Sequence, residues 1–465
     1  MKIKNYIRMA VVAVAGFAAV GCSETDVYFN EEYQSTPISV SKIYLEDVKS
    51  SVPDREVEFA RLGQMIRIEG KGFLGLRKVF INGYETYFNR NYVTDNSMLI
   101  SLNSKTPIVE AAPEDRDIIR FVKDDTEFSY KFTIRAASPT VSGVSNTLPL
   151  AGETVTVYGT GLQEISSIVL PGGVTVDSGI ASDDVDGEWF SFVMPDGVTA
   201  SGAIVATGAN GIAQTPDYFN NRDCMVLDFD GQYEQGYWNW KEEGSMINNE
   251  DLVDDPQGKR GKVLQLIPDR LLANGISSSK SRCTECWTAG NDNAADDWTR
   301  MTPFIPEDTP VTDIAFQFDI LCPDPWSGTG QLEIALINNY NFGGYTSDDN
   351  NSKGLTMFFI PWVQMGAPFS CSEWTTVTMP FSEMGKYAAA IDDANTATPT
   401  MADLIADRNA SSYRNFGMGF VNSDFTYNGV EYVSEWFYGP KIYIDNWRVV
   451  PCKSVVISDF PEDEE

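Results

Sequence analysis

The chain has 465 residues, a formal net charge of −32 and no histidine. So acidic a molecule repels phosphate backbones and anionic polysaccharides, which excludes nucleic acid and leaves neutral polysaccharide as the better partner. Without histidine there is no Ser-His-Asp or Cys-His nucleophile and no His-ligated metal, so carboxylates and aromatic rings must carry any chemistry. The length suggests about three domains.

Lys2, Lys4 and Arg8 precede an apolar run from Met9 to Val20, a targeting segment outside the fold. Residues 1–21 read as a signal peptide ending in Ala18-Ala19-Val20-Gly21 before Cys22. Small residues just before a cysteine resemble the lipobox of bacterial lipoproteins, which implies lipid attachment at Cys22; an ordinary secretory signal is the alternative. Ser23 in place of Asp argues, by the same resemblance, against inner-membrane retention. Glu24 and Asp26 resemble the acidic surface-export signals of Bacteroidetes lipoproteins. No other run is long and apolar enough to span a bilayer. Residues 22–36 are polar, acidic and aperiodic, and read as a flexible stalk.

An internal repeat follows. Gly63-Gln-Met-Ile-Arg-Ile-Glu-Gly-Lys-Gly-Phe73 aligns without a gap on Gly152-Glu-Thr-Val-Thr-Val-Tyr-Gly-Thr-Gly-Leu162, at an offset of 89 residues. Val79 to Gly83 falls over Ile168 to Gly172 in the same register, and each copy reads as an alternating strand, a glycine turn and a second strand ending in a hairpin. Lead-ins at Thr36-Pro37-Ile38 and Ser138-Pro139-Thr140 bound the copies at 37–137 and 138–220, the first carrying a surface insertion near Asp47 to Phe59. The pattern resembles the IPT/TIG family of immunoglobulin-like sandwiches, which implies fold and says little about function. A spacer role is expected, since neither copy has a run of exposed aromatics comparable to the region beyond.

From Asn221 the composition changes, and nine of the ten tryptophans lie beyond it, Trp189 being the exception. Between an opening strand at Val226 and a closing one at Lys441 to Val449, strand-length apolar runs alternate with long decorated loops; helical spacing appears only near Met401 to Arg408. Residues 221–453 therefore read as a jelly-roll β-sandwich of carbohydrate-binding-module type, and the whole as all-β. The acidic tail, 454–465, reads as disordered.

Within 316–362 one parity is apolar (Phe316, Phe318, Ile320, Leu332, Ile334, Leu336) and the other polar (Gln317, Asp319, Gln331, Glu333). One face is thus dry and the other is expected to meet water. Rings crowd the loops and strand ends, at Trp326, Tyr340, Tyr345 and Trp362, joined by Trp287, Trp298 and Trp436. Flat rings cover the apolar faces of pyranoses while Gln317, Asp319 and Glu333 take hydroxyls, so these ten residues form the candidate glycan platform. Trp374 and Trp447 sit inside strand runs and are expected in the core; Trp238 and Trp240 share one face, core or platform alike. For a hydrolase, Asp319 and Glu333 on one wetted face are a candidate carboxylate pair, with Asp228, Asp230 and Glu435 as other candidates.

Six cysteines remain, from Cys224 onward, and allow fifteen connectivities; a Cys224–Cys452 staple between first and last strands is one reading, and a local Cys283–Cys286 disulfide is the reading of the C-x-x-C. No metal or cofactor is assigned, although Asp228 or Asp230 near Asp445 would suit Ca²⁺.

In order, the elements resemble the surface glycan-binding lipoproteins of Bacteroidetes polysaccharide-utilisation loci, of the type whose C-terminal domain binds xyloglucan or related β-glucans. The local resemblance lies in Phe318-Asp-Ile-Leu-Cys-Pro-Asp-Pro-Trp326, Gly330-Gln-Leu332, Pro361-Trp362, Trp374 to Pro380 and Tyr443-Ile-Asp-Asn446. It implies a non-catalytic, lipid-anchored outer-membrane protein working beside a glycan transporter. A surface glycoside hydrolase, or an adhesin gripping a host protein through its Ig-like copies, are the alternatives.

Overall fold

A computed structural model describes residues 28–231, 235–239, 252–266, 283–288, 297–328, 330–337, 354–410, 414–422, 425–427, 429–432 and 440–461; for 235–239, 283–285 and 425–427 it describes the backbone only. The signal segment and Cys22 lie outside these residues. The all-β expectation holds: strands dominate, arranged as three sandwiches.

The first sandwich is built from β1 (Ser39–Leu45), β2 (Arg55–Glu56), β3 (Phe59–Arg61), β4 (Met65–Lys71), β5 (Lys78–Ile81), β6 (Tyr84–Thr86), β7 (Ser97–Ser101), β8 (Ile118–Val122), β9 (Glu127–Lys131) and β10 (Thr133–Arg135). The second uses β11 (Thr140–Val144), β12 (Thr154–Thr160), β13 (Ser167–Leu170), β14 (Val174–Val176), β15 (Ala181–Ser182), β16 (Trp189–Val193), β17 (Val205–Gly208) and β18 (Gly211–Gln214). The glycine repeat has a steric basis. Gly63 and Gly152 both stand at φ +86°, and a Cβ on Gly70 or Gly159 would sit 1.8 or 1.9 Å from the carbonyl oxygen of Ser39 or Thr140 on the neighbouring strand. Only glycine allows that approach.

The third sandwich has β19 (Met225–Leu227), β20 (Gln235–Asn239), β21 (Val253–Asp254), β22 (Lys262–Leu266), β23 (Cys283–Thr288), β24 (Ile314–Trp326), β25 (Gln331–Ala335), β26 (Thr356–Phe359), β27 (Phe369–Pro380), β28 (Gly417–Val421), β29 (Phe425–Tyr427), β30 (Val430–Tyr432) and β31 (Ile442–Pro451). One sheet runs β21-β22-β31-β24-β27, with β19 beside β31; the other runs β20-β23-β28-β25-β26. Phe316, Phe318, Ile320, Leu332, Ile334, Met418 and Phe420 meet between them in one apolar core. A helix, Met401–Asn409, starts where helical spacing was read.

Both tails are corrected. Residues 28–36 are no loose stalk: Tyr28 packs into the first core, and the Lys123 ammonium donates to the carbonyls of Tyr33 (2.7 Å) and Thr36 (3.1 Å). Nor is the acidic tail loose over its described part. Asp459 grips Arg61 through two bonds of 2.6 and 2.7 Å, Phe460 stacks on Phe59, and the Arg55 guanidinium lies 4.1 Å from the Phe460 ring centre. The tail thus returns to the first sandwich. Arg61 also donates to the carbonyl of Asn210 in the second sandwich (2.9 Å), and Arg116 pairs with Glu164 across the same junction at 2.6 Å.

The Cys224–Cys452 staple is absent. Cys224 is a free thiol in the third core, while Cys452, also free, lies against the second core and faces the Thr312 carbonyl. Burial pushes both thiols up to about 12. Cys286 is buried, and the side chain of Cys283 lies outside the described residues.

Candidate functional site

The third sandwich has two outward faces, and the sequence mistook one for the other. On β24, Gln317 and Asp319 point away from the core as expected, yet both are fully buried. The second sandwich covers them. Thr147 Oγ1 donates to Gln317 (2.9 Å), Thr376 N donates to the Ser145 carbonyl (2.8 Å), and Arg448 reaches both Thr147 Oγ1 (2.8 Å) and Asp319 (2.9 Å). Arg260 holds the other Asp319 oxygen at 2.7 Å. Burial alone would raise the Asp319 carboxyl, but Arg448 and Arg260 outweigh it and hold the group below the usual carboxylate range. Ala315 and Val450 join the second sandwich's own core. Gln317 and Asp319 are therefore docking residues, and a sugar cannot reach them.

Glu333 sits on the other sheet, so Asp319 and Glu333 share no face and cannot flank one bond. This second outward face carries Gln331 and Glu333, both buried, with a small cluster of Trp287, Ala335 and Val421. On its central strand, β28, the outward positions are Gly417 and Gly419, which stand opposite Ala335 and Glu333. Both glycines are buried, and glycines inside a strand mark a place where another stretch of chain approaches closely. On the far side of β28, Glu285 pairs with Gly419 and, across the next strand, with Trp238, so all share the rung of Glu333. At the edge, Phe358 pairs with Glu333. Phe358, Trp362 and Tyr432 are each half-buried, with Trp362 edge-on to Tyr432 at 6.0 Å between ring centres.

Two ring assignments are corrected. Trp326 is fully buried among Phe359, Phe369 and Phe420, because β24 continues through Pro323 and Pro325 and rejoins β27 at Phe369. Trp298 is buried against Phe381 and Phe416 beneath Arg408, whose guanidinium is 4.2 Å from its ring centre. Trp447 is in the core. Trp374 is buried too, but on the docking side, its indole N–H donating to Asp255 (3.1 Å) under Arg260. Trp436, Tyr340, Tyr345 and Trp240 lie outside the described residues. Sequence reasoning missed Phe358, Tyr432 and the two glycines. The signal for the glycines was present, since Gly-Met-Gly inside a strand puts both on one face. Among the described residues no group of three or more Cys, Asp or Glu is arranged to hold a metal; Asp230 instead accepts the backbone N–H of Lys262 at 2.6 Å.

Residues 218–451 match the family model of the surface glycan-binding protein B xyloglucan binding domain, just over half of the chain. An IPT/TIG domain-containing protein of Bacteroides ovatus is 26% identical over 211 residues, 45% of this chain and only 39% of that protein. The surface glycan-binding protein PbSGBP-B from Prevotella bryantii has a similar fold, with a TM-score of 0.62 at 21% identity over 90% of this chain and 100% of that one. An SGBP-B from a complex xyloglucan utilization locus in Bacteroides uniformis covers the same shares at 17% identity, with a TM-score of 0.43. The chain belongs to the surface glycan-binding protein B family, and its C-terminal sandwich is a binding domain rather than a hydrolase.

Proposed function

We propose that the protein captures a neutral β-glucan of xyloglucan type at the cell surface, without turnover, on the outward face of the β20-β23-β28-β25-β26 sheet. The observation that carries this is one juxtaposition. The half-buried rings of Phe358, Trp362 and Tyr432 stand together at the edge of this sheet, Phe358 in register with Glu333 and Trp362 edge-on to Tyr432. Covering one face of a ring removes apolar area from water at about 25 cal/mol per Å², so each ring contributes on the order of 1 kcal/mol. Trp287 belongs to the same face, and Trp436, Tyr340 and Tyr345 are further candidates for it.

Calorimetry with xyloglucan, and with mixed-linkage glucan as comparator, tests the reading. Binding by the intact protein, a loss on Trp362→Ala and no release of reducing ends are expected. Reducing ends, or binding indifferent to Trp362, would overturn it.

Lipid attachment at Cys22 and work beside an outer-membrane glycan transporter complete the proposal. Cys22→Ala should move the protein from the membrane fraction to the soluble one; firm membrane association of that variant would remove the anchor from the account.

A further inference from the structure

The ladder between β24 and β27 breaks twice near its far end. From the Ile320–Thr375 rung to the Cys322–Cys371 rung, β24 advances by two residues and β27 by four. From there to the Trp326–Phe369 rung, β24 advances by four and β27 by two. Bulges on opposite strands therefore flank the rung of the two cysteines. Pro323 and Pro325, which follow Cys322, have no N–H to give the ladder. Backbone bonding between the strands is sparse here, and here two cysteines stand opposite each other.

Geometry favours a bond between them. Residues directly opposite in an antiparallel pair have Cα atoms about 4.5 to 5.5 Å apart, within the roughly 4.4 to 6.8 Å that a disulfide spans. The two side chains also share a side of the sheet: Cys322 belongs to the C-terminal core and Cys371 packs against it. The Cys322 backbone N–H donates to Cys371 Sγ at 3.2 Å. Both thiols are free in this structure, and each donates to a carbonyl of the irregular stretch, Cys322 to Asp324 (3.3 Å) and Cys371 to Ile320 (3.5 Å). Access differs, since Cys322 is fully buried and Cys371 is partly exposed. The family's place at the cell surface puts both beyond the reducing cytosol, where disulfides persist.

We propose that Cys322 and Cys371 are a disulfide-forming pair, a staple across the broken ladder that closes the span carrying Glu333, Phe358 and Trp362. The two cysteines are 49 residues apart, and β25, β26 and the ring edge all lie between them. The chemistry is thiol–disulfide exchange, with an exported protein or small-molecule disulfide as oxidant. The Cys371 thiolate attacks that disulfide and displaces one sulfur as thiolate. The Cys322 thiolate then attacks the Cys371 sulfur and displaces the other, so the pair gives up two protons and two electrons and one disulfide becomes two thiols. Burial pushes the Cys371 thiol up to about 11, and burial followed by the neighbouring Cys371 pushes Cys322 up to about 12. Thiolate is therefore scarce in the closed fold, and exchange is fastest while the strands are still coming together.

The test refolds the full-length protein from urea in a mixture of reduced and oxidised glutathione, alkylates it without reduction and maps its peptides by mass spectrometry. A peptide pair joined through Cys322 and Cys371, and separated by reduction, is expected. The oxidised protein should melt about 5 to 10 °C above the reduced one, and in Cys322→Ala/Cys371→Ala that difference should largely vanish. Both cysteines found alkylated, or either joined to a different cysteine, overturns the inference. So does a melting difference that persists in the double variant, because the staple would then lie elsewhere. If the double variant fails to fold, the peptide map of the wild type still decides. Neither readout involves glucan, so the result stands apart from the function proposed above.

Discussion

The two outward faces of the C-terminal sandwich invite comparison. Both were written as alternating strands with carboxylate and amide groups on the outer parity, and both bury those groups. On the first sheet, Gln317, Thr376 and Arg448 bond to Thr147 and Ser145 of another domain of the same chain at 2.8 to 2.9 Å, and Arg448 in turn holds the buried Asp319. On the second, Glu333 and Gln331 stand beside two side-chain-free positions and an edge of half-buried rings. The difference teaches that polar parity marks a face that avoids the core, and says nothing of what will cover it.

Breaking the docked face should give the largest effects. Arg448→Ala leaves Asp319 short of a partner in a fully buried place, and removing one member of such a pair costs about 3–5 kcal/mol. Urea or thermal melts should show the loss, and residues 221–453 expressed alone should be destabilised as well. An unchanged melt for Arg448→Ala would mean that the junction is loose in solution. Trp326→Ala should cost a similar amount, about 3–5 kcal/mol, by opening a cavity.

On the other face, Trp362, half-buried against the core, should cost less stability on truncation to Ala than Trp326 and weaken glucan binding roughly tenfold, about 1.4 kcal/mol. The reverse pattern, stability lost and binding kept, would exchange the roles of the two faces.

A finer probe is pH. Burial, then the Asp319 charge, pushes the Asp445 carboxyl up to about 8, against about 3.9 in an unfolded chain. The folded state alone holds this proton between those values, so the contribution is complete below about pH 4 and is lost as pH rises through about 8. Asp319 has the opposite sign: its depressed carboxyl stabilises at neutral pH, and that part is lost on acidification. Asp445→Asn should therefore gain in melting temperature relative to wild type between about pH 5 and pH 9. A constant difference would show that Asp445 is ionised throughout. The smallest expected effect is that of salt on glucan binding, which should be close to nil because the ligand carries no charge to screen.

Local chemistry made much of this legible. The glycine repeat could be read because a backbone approach within 2 Å of a Cβ position permits no other residue, and the core parity of β24 and β25 because burial follows a period of two. Trp326 was unreadable for the opposite reason. Pro-Asp-Pro-Trp looks like a loop by composition, and only pairing with β27, more than forty residues on, keeps it in the sheet. The same holds for Asp319, whose cover comes from Thr147 far upstream, and for Phe358, whose partner Glu333 is fixed by register.

The contact between Arg61 and Asp459 joins residues 398 positions apart. Such a separation bears on how the molecule is made. Contacts distant in sequence form late, since the entropy of closing the intervening chain is lost before they repay it. The first sandwich emerges first from synthesis, yet Arg61, Arg55 and Phe59 acquire these partners only after residue 460 exists. Folding therefore finishes where it began, with a clasp that a prematurely terminated chain cannot close. Such a chain would present an open basic and aromatic seam on its oldest domain.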